Sequence, residues 1–145
     1  MKKIIATLAL IGLTIGMVSV TNAMALPKLS LTLTGLTGNR DGNGFTYVGP
    51  GARLDLGLGL LFMLSPEISY FPGNGGGLVP GATLNVKIWK LFAGGGATFG
   101  LFDEGSQTLF KANIGTRFRH WLLVGSYYIW SDSVDGIGLT VGYVF

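Results

Sequence analysis

From Leu29 to Gly35 the apolar Leu29, Leu31 and Leu33 alternate with Ser30, Thr32 and Thr34. A period of two predicts a strand with one apolar and one polar face. The pattern recurs. Leu54, Leu56, Leu58 and Leu60 alternate with Arg53, Asp55, Gly57 and Gly59, and Leu84, Val86 and Ile88 alternate with Thr83, Asn85 and Lys87. Phe110, Ala112 and Ile114 alternate with Lys111, Asn113 and Gly115. A segment from Leu64 to Phe71 sets Ile68 and Tyr70 against Ser65, Glu67 and Ser69, and a Gly-rich segment from Phe92 to Leu101 carries a weaker version. Leu122 to Trp130 and Ile137 to Phe145 complete eight predicted strands.

The connections between these segments alternate in character, which sorts them onto two sides of a sheet. Thr37 to Gly44, Pro72 to Gly81, Asp103 to Gln107 and Ser131 to Gly136 read as polar or Gly-rich loops, whereas Leu61 to Met63, Trp89 to Leu91 and Phe118 to His120 read as tight turns. Eight strands joined by long loops on one side and short turns on the other are the pattern of an up-and-down antiparallel transmembrane β-barrel. Neither Gly73 to Gly77 nor Gly94 to Gly96 completes a phosphate-cradling motif.

Upstream of the strands the pattern changes. Lys2 and Lys3 precede an uncharged apolar run from Ile4 to Val20, followed by Ala23-Met24-Ala25. A charged start, an apolar stretch and an Ala-x-Ala site predict a cleaved secretory signal over residues 1 to 25, leaving one barrel domain over 26 to 145. An uncleaved membrane anchor is the alternative, since the apolar run approaches the span of a bilayer.

Composition sharpens the choice of surroundings. Of the 145 residues, 48% are hydrophobic and 12% charged, about half the usual charged share of a soluble domain. The small, Gly-rich polar set (Gly57, Gly59, Gly94, Gly96, Gly115, Gly138, Gly142) suits a narrow, crowded interior, which turns the Leu, Val and Ile set toward lipid. A closed sheet also pairs every backbone group, as lipid demands. Aromatic residues fall at strand ends: Tyr47, Tyr70, Phe71 and Trp130 beside the long loops, and Phe62, Trp89, Phe92, Phe118, Trp121, Tyr143 and Phe145 beside the short turns. Two aromatic girdles at membrane interfaces are expected from that placement.

The final strand is the most specific feature, with Ile137, Leu139, Val141, Tyr143 and Phe145 on one face and the chain stopping at Phe. Here the sequence resembles the small eight-stranded outer-membrane proteins, those like the OmpA membrane domain and OmpX, whose terminal aromatic strand is read by the barrel-assembly machinery. The resemblance implies an outer-membrane location in a diderm bacterium, periplasmic termini and long loops outside. It also implies outer-membrane lipids and lipopolysaccharide as surroundings. It implies no activity, because one scaffold hosts many functions.

Charge offers few chemical sites. Removing Lys2 and Lys3 lowers the formal charge from +3 to +1, so the basic pI is no sign of nucleic-acid binding. With no Cys and one His, neither a cofactor nor a metal site is expected. Asp41, Asp103, Glu104, Asp132 and Asp135 lie in the predicted outer loops, where they form a solvated acidic rim or recruit divalent cations. On the polar strand face stand Arg53, Asp55, Glu67, Lys87, Lys111 and Arg117. A turn at Leu61 and Phe62 would set Asp55 roughly opposite Glu67, with Arg53 diagonal and Lys87 on the next strand. Facing carboxylates invite an acid/base reading. Four bases against two acids favour a salt-bridged plug instead. His120, beside Arg119 and Trp121, lacks the partners of a metal ligand, and Leu122 occupies the second position after it, where the barrel lipid A deacylases carry a Ser.

The sequence thus reads as a monomeric, non-enzymatic outer-membrane barrel with a plugged interior. Two alternatives stand beside it: a lipid-modifying outer-membrane enzyme, and a soluble periplasmic barrel that turns its Leu faces inward around an apolar ligand.

Overall fold

A computed structural model describes residues 26–40, 42–102, 105–130 and 135–145; the side chains of Arg40 and Trp130 are not among what is described. Its strands are β1 (Lys28–Arg40), β2 (Asn43–Leu58), β3 (Phe62–Phe71), β4 (Gly77–Ile88), β5 (Leu91–Phe102), β6 (Gly105–Phe118), β7 (Trp121–Trp130) and β8 (Asp135–Val144). Each pairs antiparallel with the next, and β8 pairs with β1, closing the barrel. The segment from 1 to 25, with the expected signal, lies outside the described residues.

Alternation decides which way each side chain faces. On β1, Ser30, Thr32, Thr34 and Leu36 are buried while Leu29, Leu31 and Leu33 are exposed. On β8, Thr140 and Val144 are buried while Ile137, Leu139, Val141 and Tyr143 are exposed. The polar set fills the inside and the apolar set covers the outside, the reverse of a soluble barrel. Leu56 departs from its neighbours: it shares the phase of Leu54 and Leu58 yet is only 7% exposed.

Glycine makes the tight curvature. A Cβ on Gly94 would lie 2.0 Å from the Leu84 carbonyl oxygen, and one on Gly96 1.9 Å from that of Ala82. Only hydrogen fits where β4 and β5 approach so closely.

Inside, apolar side chains gather at both ends and polar ones between them. Leu36, Phe71, Val79, Leu109 and Tyr128 form a buried cluster at the end of the barrel that carries the β1–β2, β3–β4, β5–β6 and β7–β8 connections. Met63, Phe92, Leu122, Val124 and Val144 form a second at the opposite end.

The strands differ from the sequence reading in three ways. First, Thr37 to Gly44, expected as a loop, is mostly strand: β1 and β2 pair out to Arg40↔Asn43. A polar hairpin keeps its ladder once it leaves the apolar zone, because side-chain polarity fixes the solvent and not the backbone conformation. The loop expected at Pro72 to Gly81 likewise shortens, since β4 begins at Gly77. Second, the β2–β3 turn occupies Gly59, Leu60 and Leu61 and pairs Leu58 with Phe62. Gly59, at φ +73°, leaves the extended path one residue early. Arg53, and not Asp55, therefore stands opposite Glu67. Third, Phe71 and Phe92 point inward, and Tyr47 is half-buried against the first interior cluster; these three belong to the core and not to a girdle. The ends of a polar lumen need apolar covers, and these rings supply them.

Candidate functional site

The inward phases of β2, β3 and β6 bring Arg53, Asp55, Glu67, Lys111 and Arg117 together. Arg53 and Asp55, two residues apart on one strand, share a face, and Arg53 Nε donates to Asp55 Oδ1 at 2.8 Å. Both are almost fully buried, at 2% and 3% exposure. Arg53 Nη1 lies 3.5 Å from Glu67 Oε2, and Lys111 Nζ donates to Glu67 Oε1. Arg117 Nη2 donates to Asp55 Oδ2 from the far side of the lumen. Lys87, half-buried on β4, makes no ion pair among the described residues.

Neutral groups complete this network. Ser65 Oγ donates to Asp55 Oδ1 at 2.6 Å and accepts from Arg53 Nη2 at 3.0 Å and from Asn85 Nδ2 at 3.1 Å. Asn85 and Asn113 both donate to Thr83 Oγ1, at 3.1 and 3.4 Å. Aromatic rings cover the cations. Arg53 lies 5.0 Å from the centre of the Phe92 ring, and Lys111 Nζ 5.4 Å from that of Tyr128. Each interior apolar cluster thus contributes one ring to one buried cation. Asn113 was expected in this interior network, whereas Ser65, Asn85, Thr83 and the two rings were not counted in it, though their inward phase was the available signal.

Chemically the arrangement neutralises itself. All four carboxylate oxygens of Asp55 and Glu67 have a cation or hydroxyl partner, so no proton is shared between the two acids. That geometry ties β2, β3 and β6 together and leaves neither carboxylate of the network without a partner. His120 is also engaged: its ring stacks on Tyr143 at 5.6 Å, and Nδ1 lies 3.2 Å from the Val144 carbonyl oxygen. Among the described residues no group of three His, Cys, Asp or Glu side chains could hold a metal ion. Asp41, Asp103, Glu104 and Asp132 lie outside the described residues; Asp135 opens β8 and is exposed.

Outside, Tyr70, Trp89 and Trp121 are exposed near strand ends, while the Trp130 side chain lies outside what is described. On the last strand Ile137, Leu139, Val141 and Tyr143 face outward, and Phe145 packs edge-on against Tyr143 at 5.2 Å.

With this geometry in view, no family model matches the chain, and no curated protein does. Solved structures do. A de novo designed transmembrane β-barrel aligns with a TM-score of 0.56 at 14% identity, over 80% of this chain and 95% of that one. The fold is that of a transmembrane β-barrel. Ail, the attachment invasion locus protein of Yersinia pestis, solved in complex with the heparin analogue sucrose octasulfate, aligns with a TM-score of 0.52 at 14% identity. That match covers 82% of this chain and 97% of Ail. The designed barrel TMB2.3 gives 0.52 at 18% identity, over 83% and 97%. The eight-stranded closed barrel is thus one that natural and designed membrane proteins share.

Proposed function

We propose that this protein is an outer-membrane β-barrel of a diderm bacterium, exported on its N-terminal segment, that serves envelope structure or surface interaction without catalysis. The observation that carries the reading is the distribution of side chains. Arg53, Asp55, Lys111, Asn85 and Asn113 are buried inside, while Leu, Ile, Val and aromatic side chains from strand after strand are exposed outside. In water so large an apolar surface would aggregate; in a bilayer it is the solvated surface. The soluble barrel with inward Leu is incompatible with that facing.

The interior is plugged in this reading. An eight-stranded barrel is about wide enough for its own side chains, and here an ion network sits between two apolar clusters. Termini face the periplasm, since the β1 start and the β8 end lie together at the short-turn end. Outer-membrane lipids and lipopolysaccharide surround a monomer, and the barrel-assembly machinery reads the last strand. The likeness to Ail, whose name describes attachment, supports a surface role over a purely structural one.

Fractionation and electrophoresis test location: the protein partitions with outer membranes, and its unboiled band in detergent migrates apart from the boiled one. A soluble periplasmic fraction with no heat-dependent shift overturns the reading. Planar-bilayer recordings test the plug: the purified barrel gives no steady single-channel conductance, and an open-channel signal would move transport ahead of the structural role.

A further inference from the structure

The short-turn end carries a cluster that the interior network does not use. The β4–β5 turn is Trp89-Lys90 and the β6–β7 turn is Arg119-His120. The Arg117 amide donates to the Lys90 carbonyl at 3.0 Å, which ties the two turns side by side. Lys90 Nζ then lies 4.9 Å from the centre of the Trp89 ring and 5.0 Å from that of Phe118. The Arg119 guanidinium lies 5.5 Å from that same Phe118 ring. Two cations therefore converge on one aromatic ring, and both are exposed.

Neither has a carboxylate partner among the described residues. Asp55 and Glu67 are held inside, Asp135 is at the other end of the barrel, and the terminal carboxylate of Phe145 pairs with neither cation. His120 is taken up by Tyr143 and Val144. Two exposed cations on one ring, with no carboxylate partner among the described residues, are open to an anion.

Backbone geometry adds a separate observation. Trp89 and Arg119 each open their two-residue turn at positive φ, +56° and +53°. Glycine takes that conformation freely, and a bulky side chain does so at a cost that persists where the side chain has a task. In both turns the strained residue belongs to the cation–aromatic cluster.

We propose that Lys90 and Arg119, backed by Trp89 and Phe118, bind the phosphate of an anionic phospholipid headgroup in the leaflet at the short-turn end. Lipid, and not free phosphate, is the occupant because the site is set in exposed apolar surface. Trp89 is 83% exposed and Phe118 54%, with Ile88, Leu91 and Trp121 exposed beside them. Rings of this kind sit at the headgroup level, with cations reaching the phosphates. The proposal rests on the membrane reading above.

The test uses the whole barrel with Trp121→Phe and Trp130→Phe, so that Trp89 is the fluorophore at the site. It is reconstituted in zwitterionic bilayers containing a small fraction of lipid brominated on its acyl chains, either anionic phosphoglycerol or zwitterionic phosphocholine. Quenching reports at least about fivefold enrichment of the anionic lipid at Trp89, the effect of one cation near an anionic surface. Lys90→Gln with Arg119→Gly abolishes the preference. Arg119→Gly also relieves the strained φ, so the loss is not a folding defect. Lys28→Gln, which removes another exposed cation at this end, leaves the preference in place. Equal quenching by both lipids overturns the site, as does a preference that survives the double variant or falls equally with Lys28→Gln. A preference erased by inorganic phosphate points to a simple anion site and overturns the lipid assignment. A barrel that does not enter bilayers overturns the membrane reading itself.

Discussion

Arg53 stands directly opposite Glu67 across the β2–β3 ladder, with Nη1 3.5 Å from Oε2, and Lys111 reaches the same carboxylate from β6. Arg53 has a second anion in Asp55, whereas Lys111 has Glu67 alone among the described acids. Glu67→Gln therefore strands Lys111. Leaving one buried charge unpaired costs about 3 to 5 kcal/mol, and the 13% exposure of the Glu67 side chain places this case near the lower figure. Urea unfolding of the barrel in vesicles measures the loss. Adding Lys111→Met to Glu67→Gln recovers most of it, because the stranded charge goes too.

The charged membership of this network was legible in the sequence apart from Lys87, which shares the inward face but pairs with no acid among the described residues, and its pairing was not. Alternation follows from strand geometry, so placing Arg53, Asp55, Glu67, Lys111 and Arg117 on the inward face needs only the period of two. Pairing depends on where each turn is centred. Reading Leu60 as the last residue of its strand moves the centre past Leu61, and the residue opposite Glu67 then shifts from Arg53 to the neighbourhood of Asp55. Gly59, which leaves the strand at positive φ, was the signal. Phe71, Phe92 and Tyr47 were misplaced for another reason: an aromatic ring at a strand end suits both a membrane interface and a lumen cover, and composition does not separate the two. Their phase, shared with inward Glu67, Gly94 and Gly51, does.

Facing is testable on β8. Leu139 is exposed near the middle of the strand, between Ile137 and Val141. In a bilayer Leu139→Arg costs about 2 to 4 kcal/mol, the cost of a lipid-facing cation near the midplane. On a soluble barrel an exposed Leu→Arg change is nearly neutral, within about 0.5 kcal/mol. The unfolding midpoint of the variant in vesicles separates the two outcomes.

The terminal residue separates assembly from stability. Phe145 is exposed, and its amide donates to the Leu29 carbonyl at 2.9 Å. Phe145→Lys keeps that backbone bond. The purified variant refolded in detergent should match the parent within about 1 kcal/mol, the cost of a cation near the membrane interface. In cells its outer-membrane level falls, because the assembly machinery loses its terminal aromatic. Normal cellular levels would remove Phe145 from any signal role.

Glycine positions differ sharply in tolerance. A Cβ on Gly94 meets the Leu84 carbonyl oxygen at 2.0 Å and Asn85 Cα at 2.6 Å, and backbone atoms cannot rotate away. On Gly44, in the polar hairpin, a Cβ meets nothing nearer than 3.9 Å. Gly94→Ala should cost about 1 to 3 kcal/mol through forced strand separation, or prevent folding, while Gly44→Ala leaves the heat-dependent band shift intact. Equal stability of the two variants would refute a steric role for Gly94.

The β2–β3 seam, which pairs fewer residues than any other, is where the barrel should open first; the β4–β5 ladder is also interrupted, at Val79 and Pro80, but pairs more residues overall. Its ladder pairs Gly51, Ala52 and Arg53 with Ser69, Ile68 and Glu67, skips Leu54 and Asp55, and resumes at Leu56↔Leu64. Pro66 sits in the gap without an N–H to donate, while its pairing with Ala82 on the β4 side is continuous. On the outer surface of this break, Leu29, Ala52, Leu54, Pro66 and Ile68 line a shallow groove of about 70 Å³. Fewer ladder bonds mean cheaper local opening, so the Leu54 amide, which faces Pro66 across the gap, should exchange faster than amides of the unbroken β1–β2 ladder. Pro66→Val returns a donor to the gap. The new hydrogen bond contributes about 0.5 to 1.5 kcal/mol, but losing the stiffness that proline gives the unfolded chain offsets about 0.4 to 1 kcal/mol of it. Global stability should therefore change little, while exchange in the seam slows markedly. Hydrogen exchange read residue by residue decides the matter: equal protection across all eight seams, unaltered by Pro66→Val, would show that the seam is no weaker than its neighbours.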